Sequence, residues 1–132
     1  MKIDHIGIAV RDIEQALQVY QVALGLPVQD VVDVPDQQVR VAFLPLGESN
    51  IELVQPSADD SGTARFIEKR GEGIHHICLL VDDIETSVAQ LEAEGARMAS
   101  EIRSHEDGTR YAFVHPKSAH GVLVELYEKP QA

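Results

Sequence analysis

Apolar and polar side chains alternate at every second position from the start of the chain. Ile6, Ile8 and Val10 share one parity, and His5, Gly7 and Ala9 the other. Period two predicts a strand over 2–10 with two unlike faces. The period then lengthens. Ile13, Ala16, Leu17, Tyr20 and Leu24 recur at helical spacing, which predicts a helix over 12–24. Asp12 and Gln15 are placed as a capping box and Gly25 as the stop. Three more strands follow, over 27–34, 38–46 and 49–55, the last two joined through Gly47 as a hairpin.

The same order then returns. A strand over 73–81 leads to a helix over 83–94, whose buried face is Ile84, Val88 and Leu91 and whose stop is Gly95. Strands over 97–103, 109–115 and 121–128 complete it, with Gly121 in the last hairpin. Between the halves, Pro56, Ser57 and Asp59–Gly62 read as loop, and Ala64–Arg70 as a short helix ended by Gly71. The likeness extends to identity. DHIGIAVRDIE at 4–14 matches HHICLLVDDIE at 75–85 with an offset of 71, as between His5 and His76. Val41-Ala-Phe-Leu44 matches Tyr111-Ala-Phe-Val114, and Ile51-Glu-Leu53 matches Val124-Glu-Leu126. Three segments in one order at nearly constant offset mark an internal repeat. The expected fold is therefore α+β: one domain of two tandem βαβββ modules, 1–56 and 73–132, joined by 57–72.

Strand parity then sorts the polar residues. If Ile6, Ile8 and Val10 pack under the helix, His5 points away from it. The same holds for His76 against Ile77, Leu79 and Val81, and for Glu52 and Glu125 between their apolar neighbours. Two imidazoles and two carboxylates thus occupy two pairs of equivalent positions, a donor set suited to a divalent transition metal such as Co, Ni, Mn, Fe or Zn. Without a metal, four such groups would be costly to bury together. His75 has the wrong parity to pair with His5. His105, His115 and His120 have no symmetric mate and read as structural or loop residues. Cys78 reads as a small buried hydrophobe, and the runs Asp30–Asp36 and Asp59–Asp60 as solvated loops.

Composition narrows the function. The 132 residues carry 11 basic and 22 acidic side chains, a formal charge of −11. Such acidity argues against a nucleic-acid partner, which needs a basic footprint. No apolar run approaches the ~20 residues of a membrane span. The stretch Ile6–Val10 is stopped by Arg11 and Asp12, so a signal peptide is not expected. A single cysteine fits a reducing, cytoplasmic compartment.

The paired ligands within a repeated βαβββ unit resemble the vicinal oxygen chelate superfamily, whose members include glyoxalase I, extradiol dioxygenases and methylmalonyl-CoA epimerases. The segments Asp4-His5-Ile6-Gly7-Ile8-Ala9-Val10, Gly73–Ile84, Phe113–Ser118 and His120–Leu126 are most similar to the epimerases, and the likeness runs over about 2–128. It implies a curved mixed sheet around a metal-binding cleft, with His5, Glu52, His76 and Glu125 as ligands of one divalent metal ion. It implies interconversion of the epimers of methylmalonyl-CoA, an acyl-CoA substrate, and a homodimer. Glu125 matches a ligand that also serves as acid or base. A second catalytic carboxylate found in some epimerases falls at Val41, next to Arg40, so Glu52, the mate of Glu125, is the second acid/base by this reading. Lys117 and Ser118 are candidate contacts for the substrate carboxylate or a CoA phosphate, and Arg65, Lys69 and Arg70 form a small basic cluster. Two alternatives stay open: glyoxalase I-type lactoylglutathione lyase chemistry, and metal-free ligand sequestration on the same fold.

Overall fold

The computed structural model describes residues 1–130. Contacts within the chain define two compact units. One holds His5–His75, and the other holds His76 onward together with Met1–Asp4.

The first unit is built on strands β1 (Lys2–Ala9), β2 (Asp30–Val34), β3 (Val39–Leu46) and β4 (Ser49–Pro56). Their order is β2-β3-β4-β1, with β1 parallel to β4 and the others antiparallel. Helix α1 begins at Ile13–Leu17 and continues as a π-helical turn over Gln18–Ala23. Ile13, Leu44 and Leu53 are fully buried and, with Ala42 and Val10, form the core beneath α1. The predicted stripe holds for Ile13, Ala16, Leu17 and Tyr20, which pack there. Leu24 departs from it and is 64% exposed. Hydrogen bonds from Leu24 N to Val19 O and from Leu26 N to Tyr20 O are wider than α-helical, and the wider winding turns Leu24 off the stripe. The strand expected over 27–34 is present as β2, each residue of Asp30–Val34 pairing with one of β3, so this part of the acidic run is strand and not solvated loop. Helix α2 spans Gly62–Arg70, with Ser61 Oγ accepting from Ala64 N and Gly71 closing it at φ 79°.

The second unit repeats the plan with β5 (Gly73–Leu80), α3 (Ile84–Ala93), β6 (Arg103–Ser104), β7 (Arg110–Val114) and β8 (Val124–Glu128). The strand order is β5-β8-β7-β6, and β5 runs parallel to β8. Val81, Ile84, Ala112 and Leu126 are its buried core. Two expectations fail here. The strand over 97–103 shrinks to Arg103–Ser104 plus a bridge from Met98 to Val114. The hydroxyls of Ser100 and Ser118 meet the Phe113 and Arg97 amides instead of a continuous ladder. The turn at Gly121 is no tight hairpin either. A 3₁₀ turn at Pro116–Ala119 precedes it, and His120 takes a left-handed backbone at φ 57°.

The repeat reaches contacts that identity alone did not reveal. Asp12 and Asp83 cap the two helices by accepting from Gln15 N and Thr86 N. The Thr86 amide holds the Asp83 carboxyl below its ordinary range. A strand residue then holds each first helical amide. Gln55 Oε1 accepts from Ile13 N at 2.9 Å, and Glu128 Oε2 from Ile84 N at 2.8 Å. Arg40 bonds Glu14 at 2.9 Å, and Arg110 bonds Glu85 at 3.2 Å. Glu128 also receives Arg110 at 2.9 Å. Removing that acceptor strands a partly buried donor. Glu128→Ala is expected to lower the unfolding free energy by about 1–3 kcal/mol. Glu128→Gln, which copies the Gln55 arrangement, should recover most of it. Urea melts of the three proteins test this.

Candidate metal and acid–base site

Register places the functional side chains on one face of each unit's sheet. In the first, Gly7 lies beside Glu52 across the parallel pair, and Phe43 lies opposite Glu52 on β3. Directly paired residues point the same way, so His5, Phe43 and Glu52 share the face away from α1. His5 is 2% exposed, and its Nδ1 lies 3.0 Å from Glu52 Oε2. The rest of this face is aliphatic: Val39, Val41 and Val54 are buried, with Val34 and Phe43 against them.

The second unit repeats the arrangement. Cys78 lies beside Glu125, and Phe113 lies opposite it on β7. His76 Nε2 is 3.4 Å from Glu125 Oε1, and both residues are buried. The Phe113 ring meets the His76 ring edge-on at 6.4 Å.

Each pair fits a metal by the chemistry of its donors. An imidazole nitrogen and a carboxylate oxygen bound at about 2.0–2.2 Å to one ion stand roughly 3.0–3.4 Å apart at octahedral to tetrahedral angles. The observed spacings are 3.0 and 3.4 Å. His5 with Glu52, and His76 with Glu125, can each occupy two adjacent positions around a divalent cation.

The other candidates fall elsewhere. Val41 is buried on the same face as Glu52 and brings no carboxylate. Arg40 faces the α1 side, where it meets Glu14. Ser118 accepts from Arg97 N at 2.8 Å and lines a groove of about 420 Å³ beneath α3, with Leu79, Val81, Val124 and Leu126. Lys117 is exposed, its amide bonded to His115 Nδ1. Arg70 lies over the Phe66 ring at 5.7 Å, and Arg65 donates to the Asp60 carbonyl. His75 packs edge-on against Phe66 at 4.9 Å, and burial pushes its imidazole below the usual range.

His105, read as a structural or loop residue, lies in the loop after β6 and makes specific side-chain contacts. Its ring stacks on Tyr111 at 4.3 Å, and Nε2 lies 3.5 Å from the Tyr127 hydroxyl. The signal was present in the sequence, since Tyr111 and Tyr127 have the parity of Phe113 and Glu125. Nothing local joined His105 to them.

Comparison with known proteins agrees with this geometry. The family model of the glyoxalase/bleomycin resistance protein/dioxygenase superfamily matches residues 4–113. The ethylmalonyl-CoA/methylmalonyl-CoA epimerase of Cereibacter sphaeroides is 40% identical, over 95% of this chain and 96% of that one. The human mitochondrial methylmalonyl-CoA epimerase is 39% identical, over 95% of this chain and 72% of that one. A methylmalonyl-CoA epimerase solved in complex with methylmalonyl-CoA and NH4+ superposes with a TM-score of 0.88 at 35% identity, over 97% of this chain and 94% of that one. With an imidazole–carboxylate pair in each half and likeness over nearly its whole length, the chain belongs to the methylmalonyl-CoA epimerase family of the glyoxalase/bleomycin resistance protein/dioxygenase superfamily.

Proposed function

We propose that this chain interconverts the epimers of methylmalonyl-CoA, and that both imidazole–carboxylate pairs serve one divalent ion and one substrate. The observation that carries this reading is the repeated imidazole–carboxylate pair, His5 with Glu52 and His76 with Glu125. Family membership supplies the substrate class.

The reaction needs a proton taken from a carbon between a thioester and a carboxylate, and another delivered to the opposite face. A divalent ion held by His5, Glu52, His76 and Glu125 would supply positive charge to offset the negative charge left when the proton departs. Glu125 is one acid/base, and Glu52, its equivalent in the other half, is the second. Each glutamate stands against a phenylalanine ring, Phe43 or Phe113. His5 and His76 hold their glutamates in place. The proposed setting is the cytoplasm, with the chain acting as a homodimer.

The deciding measurement incubates the purified protein with one epimer in D2O. Deuterium should enter at the substrate carbon as the second epimer accumulates. Turnover of methylglyoxal–glutathione without turnover of methylmalonyl-CoA would replace this reading with the lactoylglutathione lyase one. A protein isolated without metal and inert toward both would favour sequestration.

A further inference from the structure

Helix α1 leaves an apolar surface that the chain itself does not cover. Ile13, Ala16, Leu17 and Tyr20 turn inward onto the core. On the outside, Val19 is 55% exposed, Val22 65% and Leu24 64%. Val19 and Val22 stand three positions apart and are neighbours on the helix surface. The wider winding over Gln18–Ala23 turns Leu24 outward as well. Gln15, Gln18, Gln21 and Ala23 are exposed around them. No charged side chain occurs from Gln15 to Gln29, the longest such run in the sequence, although 25% of all residues are charged.

The repeat shows that the fold does not require this apolar exterior. At the offset of 71, Val19, Gln21, Val22 and Ala23 correspond to Gln90, Glu92, Ala93 and Glu94 of α3, all of them exposed. Helix α3 packs the same kind of stripe, Ile84, Val88 and Leu91, beneath a polar and acidic outer surface. One helix is thus built twice, with a solvated exterior in one half and an aliphatic one in the other. Left in water, Val19, Val22 and Leu24 add nothing to the folding of their own unit, since apolar side chains stabilise by burial. Valine is also a poorer helix former than glutamine or glutamate, so local structure does not favour it here. Exposed aliphatic groups on a surface depleted of charge have the composition of an interface core. Net charge then chooses the partner. Each chain carries −11, so two copies repel wherever acidic faces meet. They can approach on this surface without burying a charge. A basic partner would find no carboxylate between Gln15 and Gln29 to pair with. A two-fold contact sets the same patch against itself, aliphatic on aliphatic, and needs no opposite charge.

We infer that the exterior of α1, centred on Val19, Val22 and Leu24, is the surface on which two copies of this chain meet in a two-fold dimer. This locates the homodimer of the proposed reading and does not depend on the reaction. Sedimentation velocity of the full chain at micromolar concentrations tests it. The wild type should sediment as a dimer. Val22→Glu and Val19→Glu should each raise the dissociation constant at least about 100-fold, because like charges are then set against each other in the contact. Both positions are exposed within one copy, and glutamate is a good helix former, so each variant should keep the far-UV circular dichroism of the wild type. Ala93→Glu places the same charge at the equivalent point of α3 and should leave the dimer intact. A wild type that stays monomeric would overturn the inference and the homodimer together. A dimer that persists in folded Val22→Glu and Val19→Glu proteins, or that Ala93→Glu breaks as readily, would overturn the inference and leave the homodimer standing. Epimerisation is read separately, by deuterium incorporation, and its failure would leave this contact untouched.

Discussion

Glu52→Gln is expected to lower the rate of epimer inversion about 10²–10⁴-fold, the usual contribution of a positioned acid/base group. The fold should survive, because Gln keeps the shape of Glu52 and an acceptor for His5 Nδ1, now 3.0 Å away. Glu125→Gln should cost as much if the two residues act, as proposed, on opposite faces of one carbon. The variants should differ in what remains. With one carboxylate left, proton wash-out from a single epimer persists with retention of configuration, and each variant should exchange the epimer the other cannot. Chiral analysis of deuterium incorporation for both epimers separates them. Full inversion by Glu52→Gln would remove Glu52 from the acid/base role and leave it as a ligand candidate alone.

His76→Ala should weaken divalent metal binding by more than about 100-fold, above the 10–100-fold typical of losing an outer-shell partner. His76 is buried, and its Nε2 faces Glu125 Oε1 at 3.4 Å, so the change leaves that carboxylate without its imidazole. His5→Ala should behave alike if the two halves share one ion. Elemental analysis after chelator-free purification should find about one Co, Ni, Mn, Fe or Zn per wild-type chain and little in either variant. Chelator should then lower the melting temperature of the wild type alone, since a ligand at 100 times its Kd stabilises by about 2.7 kcal/mol. A wild type that is metal-free yet fully active would sink the metal assignment.

The role of single residues shows why parts of the molecule escape a linear reading. Leu24 fits a helical stripe on paper. Yet the turn before it widens, and hydrogen bonds from Leu24 to Val19 and from Leu26 to Tyr20 take it outward. Ser118 has a sequence setting suited to ligand contact, and its oxygen also accepts from the Arg97 amide beneath α3, a tie that the sequence does not show. Glu128 ends the last strand with nothing near it in the chain to mark a role. It is the acceptor that fixes the start of α3 and holds Arg110. In each case a partner 21 or 44 positions away, or a change of winding, decided the outcome. Local periodicity carries none of that.

By itself, the sequence determined the two βαβββ halves, the face on which His5, Glu52, His76 and Glu125 lie, and the family. The halves and the face follow from period-two alternation and a repeat offset near 71, which depend only on backbone geometry and neighbours in the chain, and the family from the resemblance of its motif segments. Tertiary structure alone decided that Phe43 and Phe113 stand against the glutamates, that Gln55 and Glu128 hold the helix starts, and that His105 reaches Tyr127. The reason is physical. Side-chain direction is set by each residue's own backbone, whereas cross-strand register and loop closure are set by nonlocal packing, where a shift of one residue exchanges every partner.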